Sequence, residues 1–202
     1  KIFSILAIVA VTVSVASGKI LRRQLSIFQA SVPETETLAL GNMEFVYDYR
    51  CIVDTTGSLE DNVSSDNMLL QIGPDGISKF SSYKNLIVDS ILMRSTSEQI
   101  ADAALEGKLS TGEFMTIYKN YPHGRITHTE KICQDWFRYE EEMPRLDWEQ
   151  TDSVANVLGY ECHSARCMFR GREWTVFYTE DIPLMDGPWK FHGLPGLIMK
   201  AA

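Results

Sequence analysis

The side chains able to do chemistry are few and scattered. Cys162 stands beside His163, a nucleophile next to a base in sequence. Neighbouring residues of a strand point to opposite faces, so in a strand this thiol and imidazole diverge. A structural or disulfide-bonded Cys162 is therefore favoured over a catalytic one. His123 follows a proline in a turn-like Pro-His-Gly, and His128 lies in Thr-His-Thr-Glu. Neither has a second ligand at the spacing a metal needs. Glu140-Glu141-Glu142 is a run of like charge. Such a run fits a solvated strand end better than two carboxyls converging for acid–base work. The chain has no G-x-S-x-G, no H-E-x-x-H, no G-x-x-x-x-G-K and no G-x-G-x-x-G. These residues assign no catalytic group, and no metal or cofactor is expected.

One segment differs from the rest. Between positions 183 and 198 the chain reads Pro-Leu-Met-Asp-Gly-Pro-Trp-Lys-Phe-His-Gly-Leu-Pro-Gly-Leu-Ile. Proline fixes φ and glycine permits positive φ, so the run specifies an irregular path. A loop this apolar is either buried architecture or a binding surface. Trp189, Phe191, Leu194, Pro195 and Leu197 are the candidate ligand- or partner-binding residues.

The elements that must position this segment read mostly as strands. Met43, Phe45, Tyr47, Tyr49, Cys51 and Val53 alternate with largely charged residues, which predicts a half-buried strand with one aromatic face. Gly73-Pro74-Asp75-Gly76 between two apolar runs predicts a hairpin. Ser95-Thr96-Ser97-Glu98 offers a helix start, Ile100, Ala101, Ala104 and Leu105 share a face, and Gly107 supplies the stop. Strands are expected again over 114–121, 126–133 and 136–141, then over 157–169 and 173–179 around the turn Arg170-Gly171-Arg172. The fold class expected is α+β, mostly antiparallel: a curved sheet or half-barrel with a short covering helix.

Composition narrows the setting. The 202 residues are 45% hydrophobic with a formal charge of −8, which suits one folded domain and excludes wholesale disorder. The acidic balance argues against nucleic acid as a partner. Lys1 followed by an apolar run over 2–15 and then Ala16-Ser17-Gly18 has the plan of a secretory signal peptide. We read 1–18 as signal and 19–202 as a single β-rich domain, with no transmembrane span once the signal is removed, because the run is shorter than the roughly 20 residues a helix needs to cross. Removing it takes one Lys and no acid, so 18 bases against 27 acids leave −9. Export exposes Cys51, Cys133, Cys162 and Cys167 to an oxidising compartment, where three full pairings are open to them. Asn62-Val63-Ser64 is a sequon that matters only in a eukaryotic host.

The residues from 159 onward carry a resemblance. Gly193-Leu194-Pro195-Gly196-Leu197-Ile198 spells the signature of the GLPGLI family of exported proteins, found mainly in Bacteroidota and earlier labelled after Porphyromonas gingivalis. Gly159-Tyr160-Glu161-Cys162 with Gly171, Arg172 and Trp174 resembles the family's middle block. Phe177-Tyr178-Thr179-Glu180 and Gly187-Pro188-Trp189-Lys190-Phe191 resemble the approach to the signature. Residues 68–81 and 139–148 resemble its weaker upstream pattern. Two departures stand out. Ser164-Ala165 occupies the place of a common Lys-Ala, so no charge role passes to Ser164. Relatives also continue past the signature, whereas this sequence stops at Lys200-Ala201-Ala202, so the resemblance implies a domain incomplete at its C-terminus.

The family supplies no activity to transfer. It implies a Gram-negative envelope location (periplasm, outer-membrane-associated or extracellular) and an antiparallel sheet. On that basis the expected function is non-catalytic binding of a hydrophobic ligand: a lipid, a lipoprotein or an apolar peptide. The alternative is an interaction module of an outer-membrane or secretion complex, with an envelope protein as partner. A hydrolase whose residues meet only in space ranks third.

Overall fold

A computed structural model describes residues 38–52, 63–133 and 135–202. The expected signal segment and Asn62 of the sequon lie outside these residues. The expected α+β, mostly antiparallel class is what forms, with the strands divided between two sheets.

The first sheet is a six-stranded meander in chain order: β1 (Met43–Ile52), β2 (Val63–Ile72), β3 (Ser78–Ser82), β4 (Thr116–Lys119), β5 (Arg125–Ile132) and β6 (Asp135–Glu142). The β2–β3 turn is the expected Pro74-Asp75-Gly76, with Asp75 and Gly76 both at positive φ. The register fixes which residues share a face. Phe45, Leu70, Phe80, Ile117 and His128 are successive cross-strand partners, as are Ser78, Lys119, Ile126 and Glu141. The inner face is thus apolar towards β1 and β2 and polar towards β5 and β6. Met68, Leu70, Ile117 and Ile126 are completely buried there, with Phe45, Tyr47 and Tyr49 packed against them.

The second sheet has the order β10-β9-β8-β7, formed by β7 (Glu149–Val157), β8 (Tyr160–Phe169), β9 (Arg172–Thr179) and β10 (Leu197–Ala201). The strand expected over 157–169 begins three residues later, because Leu158 and Gly159 both take positive φ and turn the chain. Gly159 N–H donates to Asn156 Oδ1 at 3.0 Å in that turn. Leucine is a poor turn former, which is why the preceding β7 was not legible. The Arg170-Gly171 turn is the same two-residue, positive-φ type and was legible through its glycine.

Two helices follow β3. The second, α2 (Ser97–Leu105), is the expected one; Thr96 and Gln99 form a capping box at its start. The first, α1 (Tyr83–Arg94), was not expected. Its apolar residues fall all round the axis and it buries only Val88, so no single-face periodicity announces it. The local signal is Ser82, whose hydroxyl accepts from Asn85 N–H at 3.3 Å, at the head of a stretch with no Gly or Pro from 77 to 106.

A buried polar knot ties α1 and the loop after α2 to β2. Asp66, almost fully buried, accepts from the backbone N–H of Glu113 at 2.8 Å. Asn85 Oδ1 accepts from Gly112 N–H at 2.9 Å, and its amide donates to the Glu113 carbonyl at 2.6 Å. Ser64 closes the knot on the Glu113 carboxylate. A side chain at Gly112 would overlap the Asp66 carboxylate and the Ser82 hydroxyl. Gly112→Ala should therefore cost about 2 kcal/mol by overpacking and by prising the loop from α1; urea unfolding monitored by circular dichroism checks this.

Candidate functional site

The Gly-Pro-rich segment, residues 180–196, leaves β9, crosses between the sheets and returns as β10. Its path is set by backbone bonds. Leu197 N–H donates to the Ile182 carbonyl at 2.9 Å, Ile198 N–H to the Asp186 carbonyl at 3.0 Å, and Gly193 N–H to the Met185 carbonyl at 3.1 Å. Gly193 has a φ of 90°, which strongly favours glycine. A Cβ on Gly187 would lie 2.6 Å from Ile198 Cβ, and one on Gly196 would overlap the Thr179 carbonyl. Three of the glycines in this segment are thus explained by a turn and two close approaches.

The side chains of this segment point inward. Phe191, Leu194, Leu197 and Ile198 are buried, Trp189 is half-buried and Pro195 is exposed. The segment is therefore architecture rather than an exposed hot spot: Phe191, Leu194 and Leu197 reach no partner without unfolding. Leu197 enters the core beneath the six-stranded sheet, and its neighbour Ile198 enters the core of the four-stranded one. The second core is aromatic. Trp174 lies 5.0 Å from Phe191 and 5.6 Å from Trp189, with Phe169 and Trp148 around them. Trp148 Nε1–H donates to the His192 carbonyl at 2.9 Å. Arg172 stacks on Trp174, and Tyr178 accepts from Gln150. Tyr160, at the start of β8, is exposed.

Two buried lysines lock the segment from opposite directions. Lys119, from β4, inserts into it, pairs with the Asp186 carboxylate and donates to the Gly187 carbonyl at 2.6 Å and the Phe191 carbonyl at 3.3 Å. Burial lowers the pKa of Lys119, and Asp186 opposes that shift. Lys190, from the segment, reaches back to β6 and donates to Glu141 at 2.5 Å and to the Tyr139 hydroxyl at 3.2 Å. Arg170 also pairs with Glu141. Burial raises the Glu141 pKa, but Lys190 and Arg170 outweigh it and hold the carboxyl below the usual range. The Tyr139 hydroxyl sits 2.6 Å from His128 Nδ1. Burial, reinforced by Lys190 and Arg170, pushes His128 down to about 4.

Sequence reasoning missed this cluster. Glu141 was grouped with a solvated acidic run, yet it lies on the inner face and is only 25% exposed. The signal was parity: in the β5–β6 hairpin His128 pairs with Tyr139, and Glu141 follows on the same face.

All four cysteines are free thiols. Cys51 and Cys133 are exposed, whereas Cys162 and Cys167 are buried. Five residues apart on one strand, the last two project from opposite faces of β8 and cannot bridge. Burial raises the pKa of both thiols, which disfavours a nucleophilic thiolate. His163 is exposed and lies on the opposite face of β8 from the buried Cys162. Among the described residues no group of three or more His, Cys, Asp or Glu could hold a metal ion.

The apolar surface lies elsewhere. Ile87 and Ile91 of α1 line an open groove with Gly107, Ser110, Lys84 and Lys108; Lys84 lies 3.6 Å from Asp66 and Lys108 2.5 Å from Glu106. Ile87 is 42% exposed although it is aliphatic.

These features define a two-sheet α+β protein whose apolar C-terminal segment is locked between the sheets. Residues 120–200 match a family model described as "Protein of unknown function (Porph_ging)". No curated protein matches the chain in sequence. Two solved structures of PNGF-II, in C2 and P21 space groups, match with TM-scores of 0.49 and 0.48 at 13% identity. They cover 79% and 78% of this chain but 24% and 25% of their own, so the chain spans about a quarter of those structures.

Three outcomes follow from these charges. Lys119→Met should cost about 3–5 kcal/mol in denaturant unfolding, because it strands Asp186 and two carbonyls. Removing Arg145 from its exposed pair with Asp147 should leave stability unchanged within error. His128 is held neutral in the folded state, so its contribution is full above the ordinary histidine value of about 6.5 and is lost as pH falls towards 4. Stability measured across that window should drop by about 3 kcal/mol from this group, and His128→Gln should flatten the slope.

Proposed function

We propose that the protein is an exported cell-envelope protein of the GLPGLI type that binds an apolar ligand without chemically changing it. Export rests on the signal-like residues 1–18, and the family reading rests on the signature Gly193–Ile198. The match of residues 120–200 to the Porph_ging model supports that reading. The binding site is the groove on α1 rather than the Trp189 segment, whose side chains are committed to the core. The occupant is an acyl chain, from a lipid or a lipoprotein.

The single observation that carries this reading is the groove's composition: aliphatic walls from Ile87 and Ile91 that stay open to solvent, while the lining lysines Lys84 and Lys108 are paired with Asp66 and Glu106. An acyl chain gains about 0.8 kcal/mol per buried methylene.

The test is a titration of the purified protein with an anionic fatty acid bearing an environment-sensitive fluorophore. A saturable blue shift is expected. Ile91→Asp should abolish it, and Ile87→Asp should weaken binding by at least roughly tenfold. No saturable signal, or a signal indifferent to Ile91→Asp, would remove the groove as a ligand site.

A further inference from the structure

We propose that β6 is a self-pairing edge, and that two copies of this chain join antiparallel along it to form one continuous sheet. Four described strands lie at sheet edges: β1, β6, β7 and β10. Two of them carry the irregularities that natural proteins use to discourage edge pairing. The register of β7 breaks between Thr151 and Val154, and that of β10 between Ile198 and Lys200. β1 turns Phe45, Tyr47 and Tyr49 into the core. Like β1, which pairs with β2 without a break, β6 pairs with β5 without a break from Asp135 to Glu142; what sets it apart is that its aromatic residues Trp136, Phe137 and Tyr139 remain 50%, 49% and 42% exposed. A regular, aromatic edge is a template for another strand.

The sequence of β6 selects its own copy. A twofold axis normal to the sheet keeps inner face beside inner face, so residues of equal parity must lie opposite one another. Placing the axis on Tyr139 sets Arg138 against Glu140 of the second copy, twice over. It also sets Trp136 against Glu142, Phe137 against Glu141 and Tyr139 against itself. Within one chain Arg138 already lies 3.2 Å from Glu140, so pairing builds a four-charge square of alternating sign on the outer face. Moving the axis to either neighbour stacks Arg138 on Arg138 or Glu140 on Glu140, which like-charge repulsion disfavours. The acids that would repel a generic partner therefore fix one register with this one. Pro144, which has no N–H, ends the ladder just beyond Glu142.

Sedimentation velocity of the full chain over a dilution series tests the proposal, with circular dichroism confirming that each variant is folded. A concentration-dependent dimer is expected. Arg138→Glu and Glu140→Arg should each weaken dimerisation by about tenfold, since each places like charges opposite one another at two symmetric positions. The double variant should restore it. Amides of Trp136 through Glu142 should gain exchange protection as concentration rises. A chain that stays monomeric throughout, a dimer that ignores both single variants, or a double variant that fails to recover each overturns the proposal and leaves the edge to a different chain. Arg138 is 61% exposed and distant in role from the groove on α1, so this result is independent of ligand binding.

Discussion

The fold depends on a strand that faces two cores at once. Leu197 and Ile198 are adjacent and fully buried, and strand alternation sends one into each sheet's interior. Between them the Ile198 carbonyl accepts from the Tyr47 hydroxyl at 2.8 Å, which joins β10 to the far edge of the six-stranded sheet. The tetrapeptide Gly193-Leu194-Pro195-Gly196 before it brings that strand so close. Gly196 lets the chain press on the Thr179 carbonyl, and Gly187 lets it press on Ile198. A side chain at either place would hold the wedge out of its slot.

The buried lysines make sense in the same terms. An apolar wedge gains most of its energy from burial, which is non-directional and does not choose one depth or angle. Lys119 and Lys190 supply direction. Each crosses the boundary between sheet and segment, one in either sense, and each ends on a carboxylate. Buried ion pairs contribute little net stability against an apolar alternative, because desolvation offsets their attraction. Their effect is to penalise every misplaced arrangement in which a charge is left unpaired.

How much of this was legible depends on whether the information was local. The β2–β3 turn was readable because Pro-Asp-Gly fixes a turn by itself, and α2 because its cap and apolar face lie within a dozen residues. β7 hid behind a turn begun by Leu158, and α1 hid because it buries one side chain. The Trp189 segment could be recognised as specified but not as buried, since burial depends on strands far away in sequence. Lys119 gave no sign at all; its partner is 67 residues on. Glu141 was misread because a run of three acids looks uniform in one dimension, while pleating separates its members onto two faces.

The wedge also bears on when the protein can become compact. The Tyr47–Ile198 contact spans 151 residues, so closing it carries a large chain-entropy cost that only late contacts repay. Every strand of the first sheet is synthesised before the segment that locks it. Until that segment arrives, the two cores lack Leu197, Ile198 and Phe191, and the aromatic cluster lacks its centre. A polypeptide so arranged cannot complete either core until that segment is made.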